Sequence, residues 1–211
     1  MPLQSDRVSW TEQDPLQTLP VTADSVSLTT VTGCATRRWG RLWRMETWDA
    51  IRARRNVRAY DHRPIPAADL DRVLEAGRRA PSSRNQQRWD FVVGTDRDQL
   101  RQLAEVWRGA RHVADSAATV GLVTTASGDW SVAYDLGQVT MSMMLAAADL
   151  GIGSGHAAVQ DQELARRLLG FPADRQLAWL IAFGYPAGRP LRPIDRPDRR
   201  SFDDVVHLGG W

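Results

Sequence analysis

The sequence predicts an α+β fold, and three features carry that reading. Segments with a helical apolar period outnumber the short continuous apolar runs, so helices should exceed strands. Those runs do not alternate regularly with the helical segments, as a doubly wound sheet requires. No glycine-rich turn of the dinucleotide-binding kind follows any strand candidate. With 211 residues, 43% hydrophobic and 25% charged, the chain has enough apolar surface for one sizeable core.

Residues 1–44 stand apart. They are rich in Ser and Thr, carry scattered charges, and show no apolar period longer than a few residues, which predicts an extension without regular structure. The stretch ends in Arg37-Arg38-Trp39-Gly40-Arg41-Leu42-Trp43-Arg44, directly before Met45. Two readings compete, a flexible basic arm or upstream sequence translated from a mis-chosen start codon. The want of a patterned motif favours the second. The domain is therefore expected over residues 45–211. No charged start runs into a continuous apolar segment, so a cytoplasmic location is expected.

From Met45 onward the elements follow closely. Trp48 and Ile51, at i, i+3 spacing, predict a short helix over residues 46–54. Pro66 sits where a first-turn proline belongs, and Leu70, Val73, Leu74 and Gly77 form one stripe of a helix ending near Ala80-Pro81. Residues 81–87 read as a polar loop and residues 89–93 as a strand stopped by Gly94-Thr95-Asp96. Leu100, Leu103, Ala104 and Trp107 mark the next helix. An apolar strand covers residues 118–124, and a long helix covers residues 132–150, with Leu136, Val139, Met143, Met144, Ala147 and Leu150 on its buried side. Gly151 takes the left-handed capping position. Leu164, Leu168 and Leu169 belong to a short helix ending at Gly170, and the apolar run 178–183 predicts a strand inside a sheet. Pro186, Pro190, Pro193 and Pro197 deny the tail a long regular element, so it is expected to wrap over another surface. The longest apolar-leaning stretch, 141–150, is too short to span a bilayer and carries Asp149.

Composition removes several chemistries. All 27 basic residues are Arg, so no lysine can form a Schiff base, act as a general base or complete a P-loop. Cys34 is the single cysteine, which excludes an intrachain disulfide and any thiolate cluster for zinc or iron–sulfur. The 25 acids leave a net charge of only +2, unlike a chain that coats nucleic acid. His62, His112, His156 and His207 are widely separated, with no helical pair, and no metal site is expected. No Ser, His and acid grouping stands out, so the side chains do not advertise acid/base or covalent catalysis.

Two segments suggest binding. Arg54, Arg55 and Arg58, with Arg196, Arg199 and Arg200 in the tail, offer planar forks that match phosphate oxygens, against the plainer reading of a solvated face paired with Asp61, Asp195 and Asp198. The loop after Pro81 offers Ser82, Ser83, Asn85 and Gln87 to the edge of a heteroaromatic ring or a ribityl chain. The run Gly151-Ile152-Gly153-Ser154-Gly155 fails as a dinucleotide fingerprint, because it follows a helix and lacks the third glycine. It reads as a flexible turn between a helix and a strand, with close backbone approach to a flat ligand as one reason for so many small residues.

In this order and spacing, Ala53-Arg54-Arg55-Asn56-Val57-Arg58, Ala80-Pro81-Ser82-Ser83-Arg84-Asn85-Gln86-Gln87-Arg88-Trp89, Leu150-Gly151-Ile152-Gly153-Ser154-Gly155-His156, Phe183-Gly184-Tyr185-Pro186 and Arg199-Arg200-Ser201-Phe202-Asp203-Asp204-Val205-Val206 resemble the flavin-dependent nitroreductase family. The resemblance implies a mainly antiparallel sheet flanked by helices in an intertwined homodimer, with FMN at two sites shared between subunits. It places Arg54, Arg55, Asn56 and Arg58 at the FMN phosphate and the pyrimidine side of the ring, with Arg199 completing the phosphate site. Pro81, Ser82, Ser83 and Asn85 match the loop contributed by the second subunit. His156, Ala157 and Ala158 match the segment whose backbone approaches flavin N5 and O4, and Arg108 or Arg111 falls at the polar position near flavin O2.

The activity implied is ping-pong hydride transfer from NADH or NADPH through flavin N5 to a nitroaromatic, a quinone or a similar small oxidant. The flavin would carry the reaction, which accounts for the missing catalytic side chains. Departures are visible: Asn56 stands where the family usually has Ser, Arg88 replaces the usual Pro, Pro197 falls where a second basic tail residue is frequent, and residues 125–134 hold no insertion for a lid. The alternatives are a specialised flavin reaction on the same fold, such as dehalogenation or flavin fragmentation, and a non-catalytic flavin or deazaflavin carrier.

Overall fold

The computed structural model describes residues 45–126 and 128–211, and the expectations for residues 1–44 lie outside them. Four strands form one sheet in the order β1-β2-β4-β3, and every neighbouring pair is antiparallel. The strands are β1 (Asp90–Gly94), β2 (Ala118–Thr125), β3 (Gly153–Ala157) and β4 (Arg175–Gly184). Five helices surround them: α1 (Thr47–Ala53), α2 (Ala67–Arg78), α3 (Arg97–Leu103), α4 (Trp130–Asp149) and α5 (Gln162–Leu169). The α+β architecture with an antiparallel sheet is as the sequence and its resemblance imply.

The two central strands divide the core. Val120, Leu122, Ile181 and Phe183 pack on one face with α2 and α4, through Val73, Leu136, Val139 and Met143. Val123, Leu177, Leu180 and Ala182 pack on the other with α3, α5 and the 3-10 turns near residues 104–113. Leu177 and Leu180 share a face although three residues apart, because the register between β2 and β4 shifts by one at Leu122/Val123. β2 is buried throughout except at its last residue, which is why it reads as an unbroken apolar run.

Most predicted boundaries hold within a few residues, and the capping glycines hold as read: Gly151 and Gly170 both have positive φ. Three readings need correction. The glycine run after α4 is not merely a turn, since residues 153–157 are edge strand β3, paired along its whole length with β4. The helix read from Leu100 to Trp107 ends at Leu103 and continues as 3-10 turns. In α1 the apolar pair that marks the helix does not face this chain's core: Trp48 is 66% and Ile51 47% exposed, while Ala50 and Ala53 are buried. The tail beyond β4 forms no helix or strand, as its prolines require. Among the described residues, no helix is long and apolar enough to cross a membrane.

Candidate functional site

Arg54 follows α1 directly, and its backbone turns extended there, which ends the helix and sends the chain towards the sheet. The next segment docks on β3: Asn56 bridges Ser154, and the Val57 N–H donates to the Ser154 carbonyl at 2.8 Å. The proline-rich tail returns over the same region, where Ile194 N–H meets the Arg52 carbonyl and the Arg52 guanidinium pairs with Asp195. Between them lies a cleft of about 990 Å³. Arg52, Arg54, Arg55, Asn56 and Arg199 form its polar wall, and Trp48, Ile51, Met141 and Leu145 its apolar wall.

Two ends of the described chain therefore converge on one cationic cleft, including Arg54, Arg55, Asn56 and Arg199 of the sequence-predicted set. Arg52, Arg54, Arg55 and Arg199 face only Asp195 and Asp198 in the lining, so positive charge is in excess. Arg52 is taken by Asp49 and Asp195, and Arg55 donates to the Arg189 carbonyl. Burial, reinforced by the Arg189 guanidinium, lowers the Arg55 pKa from its ordinary value. Arg54 has no carboxylate partner among the described residues and presents its fork unengaged. This donor set fits a phosphate monoester.

The other expected residues lie elsewhere. Arg58 is exposed and does not line the cleft; its charge acts instead on Tyr60, His112 and His156. His156 and Ala157 belong to β3, and Ala158 follows it. The His156 ring meets Trp179 edge to face, with centroids 5.7 Å apart, and its Nδ1 is shut off from solvent without a hydrogen-bond partner. Burial, then Arg58 and Arg54, depress its pKa, which disfavours the charged imidazolium. Pro81, Ser82, Ser83 and Asn85 form an exposed or half-exposed loop that does not line the cleft within this chain. Arg111 is exposed on the 3-10 segment Arg108–Val113 and does not line it either; Arg108 borders a separate hollow beside Glu105 and Trp107.

The glycine run has a different purpose from the one its composition suggested. A Cβ on Gly153 would fall 2.8 Å from the Val57 side chain, and one on Gly155 would fall 2.4 Å from the Val57 carbonyl oxygen. The close approach is to the chain's own Asn56-Val57 segment, so these glycines seat the Arg54–Arg58 segment against the sheet.

Two buried polar residues were given no role by the sequence. His112 is 6% exposed, with Nε2 unpartnered beside Gly155. Asp135, 2% exposed, accepts the Ser83 N–H at 3.1 Å on both carboxylate oxygens. Asp135 had a visible signal, since it lies on the same face of the long helix as Val132, Leu136 and Val139. His112 had none. Among the described residues, no cluster of three or more His, Cys, Asp or Glu could hold a metal.

The model described as Nitroreductase family matches residues 51–120. A Methanothermobacter thermautotrophicus protein named as an NADH dehydrogenase/NAD(P)H nitroreductase is 30% identical over 182 residues, covering 82% of this chain and 91% of the relative. A Parabacteroides distasonis structure with the same kind of name is 27% identical at a TM-score of 0.67, covering 77% and 96% of the two chains. The NADPH:FMN oxidoreductase of Vibrio harveyi, solved with NAD+, shares the fold at 22% identity and a TM-score of 0.66, covering 77% and 76%. The family match spans the segment from Arg52 to Arg58 and strand β1, the relative extends the likeness over most of the chain, and the chain belongs to the nitroreductase family.

Proposed function

We propose that the chain is a cytoplasmic, homodimeric, FMN-dependent NAD(P)H oxidoreductase that reduces nitroaromatics, quinones or similar small oxidants. The observation that carries this reading is the convergence of Arg54, Arg55, Asn56 and Arg199 on one cleft with excess positive charge. The names of its relatives, NAD(P)H nitroreductase and NADPH:FMN oxidoreductase, supply the reaction class. Bound at this cleft, FMN would supply two-electron hydride chemistry between a nicotinamide and the oxidant.

The chain's own part is binding and orientation. Arg54 and Arg199 hold the phosphate, with Arg55 and Asn56 beside it. The backbone at His156, Ala157 and Ala158 would hold the ring, and Arg58 and Arg111, which lie outside the cleft lining within this chain, would supply positive charge at its polar edge. Pro81, Ser82, Ser83 and Asn85 reach the site of the other subunit. A dimer also accounts for apolar surface that one chain leaves uncovered: Trp48 and Ile51 on α1, Trp130, Tyr134 and Met141 on α4, and Phe202, Val205 and Trp211 in the tail.

The test is direct. The purified full chain should be yellow, bleach anaerobically with NADH or NADPH, and recover its colour with a nitroaromatic or a quinone. Colourless protein that cannot be loaded with FMN overturns the proposal. Flavin that is retained but inert to both nicotinamides points to the specialised or carrier alternatives.

A further inference from the structure

We propose that Asp135 is a positioning residue, which shapes the Ser82–Gln87 loop for the cofactor from inside α4; the inference rests on the FMN-binding reading above. A carboxylate at 2% exposure in an apolar helix is costly to bury, and the Ser83 backbone N–H, shared by both oxygens at 3.1 Å, is its hydrogen-bond donor among the described residues. The contact joins residues 52 positions apart and lies on the inner side of a loop whose outward side chains, Ser83, Asn85 and Gln87, are exposed.

That loop needs holding. Arg84, Asn85 and Gln87 all have left-handed backbones, with φ of 51°, 56° and 48°, a conformation side-chain-bearing residues adopt reluctantly. Strain of this kind persists only where neighbouring contacts impose it, and burial does not, because residues 83–87 are exposed. Two clamps onto α4 bracket it instead. Asp135 fixes Ser83 at the start, and Arg88 at the end donates to Asp129 at 3.0 Å and to the Ser131 hydroxyl at 2.7 Å. Between the clamps, the Gln87 N–H donates to the Ser82 hydroxyl at 3.0 Å. A loop that only ended α2 would need none of this. The shape presents Ser83 and Asn85 outward in a fixed geometry, and Asp135 supplies the charged end of the restraint.

The experiment compares the full-length wild type with Asp135→Asn, which keeps the volume and removes the charge, and with Ser83→Pro, which removes the N–H while leaving α4 intact. Flavin-free protein is digested with trypsin, and cleavage after Arg84 is timed by mass spectrometry. FMN dissociation constants are measured by fluorescence quenching, and folding is checked by circular dichroism. In folded Asp135→Asn, cleavage after Arg84 should speed up several-fold and the FMN dissociation constant should rise about tenfold, the scale of one charge-assisted hydrogen bond. Ser83→Pro should do the same, and the double variant should go little further. A folded Asp135→Asn with either quantity unchanged overturns the proposal. If the wild type takes up no FMN, the FMN-binding reading fails and this proposal's cofactor role fails with it, while the cleavage rates still decide whether Asp135 shapes the loop.

Discussion

Arg54 shows how little of a binding residue lies in its identity. The chain holds 27 arginines, and several of those paired among the described residues sit in exposed i, i+3 or i, i+4 pairs, such as Arg78 with Glu75 and Arg101 with Asp98, which contribute little to stability. Arg54 differs because it ends a helix, faces a cleft and lacks a carboxylate partner among the described residues. Replacing it with Ala should leave the fold intact and raise the FMN dissociation constant about tenfold or more, since a hydrogen bond to a charged group contributes roughly 1.5–3 kcal/mol. A fluorescence titration reads this, and an unchanged constant would reduce Arg54 to a surface charge.

His112 gives a second prediction at the same scale. Burial pushes its pKa down, Arg58 and His156 push the same way, and the backbone at Gly155 and Gly109 acts against them. The folded state thus binds its proton less readily than the unfolded chain, where histidine titrates near about 6.5. Stability is therefore present above that value and is lost as the pH falls below it, by at most about 1.4 kcal/mol per pH unit for each such histidine. His156, depressed by burial and two arginines, adds to the same slope. Denaturant midpoints should fall between pH 7.5 and 5.5, a window well above the carboxylate range, and His112→Gln should flatten the decline. A midpoint level across that window would mean that both imidazoles are freely hydrated.

At the scale of elements, β3 shows what a sequence can and cannot disclose. Helices α2 and α4 were legible from apolar period and β2 and β4 from unbroken apolar runs, because those patterns record burial on one chain's own core, whereas the Trp48 and Ile51 pair of α1 faces away from it. Gly153-Ser154-Gly155 has neither strand propensity nor alternation, and it becomes a strand only because β4 offers an unpaired edge, a non-local cause. The site divides in the same way. The Arg54–Arg58 string stands out locally, whereas Arg199 acquires meaning from a family pattern, and Asp135 and His112 acquire theirs from tertiary burial. The glycines were noticed for their smallness, and the structure names what they make room for. Gly155→Ala would set a methyl group 2.4 Å from the Val57 carbonyl oxygen and 3.1 Å from the Tyr60 hydroxyl. β3 and the Asn56-Val57 segment must then part, with an expected loss of about 1–3 kcal/mol in chemical denaturation. FMN should weaken together with it, because Arg54 and Asn56 ride on that segment. Wild-type stability in this variant would show that the two segments are not tightly apposed.

For the whole molecule, the uncovered apolar surface and the chain's first residues bear on the same measurement. Trp130 is 78% exposed, and the stripe it starts runs along α4 through Tyr134 to Met141, which forms part of the apolar wall of the cleft. In the proposed homodimer the Ser82–Gln87 loop serves the partner's cleft, so dimerisation and flavin retention should fail together. Tyr134→Glu, which places a charge at the middle of that stripe and outside the cleft lining, should give a monomer by light scattering that no longer keeps FMN. A chain beginning at Met45 should do the opposite. Met45 donates its backbone N–H to Asp149 at 2.7 Å, and Asp149 is largely buried and also paired with Arg72. In the shortened chain that nitrogen becomes an α-ammonium facing the same carboxylate, which strengthens the contact, and α1 begins two residues later. The shortened protein should therefore remain dimeric and yellow, with an FMN dissociation constant within about twofold of the full chain, less than half of one charge-assisted hydrogen bond. A colourless or monomeric product would make residues 1–44 part of the working enzyme and overturn the start-site reading.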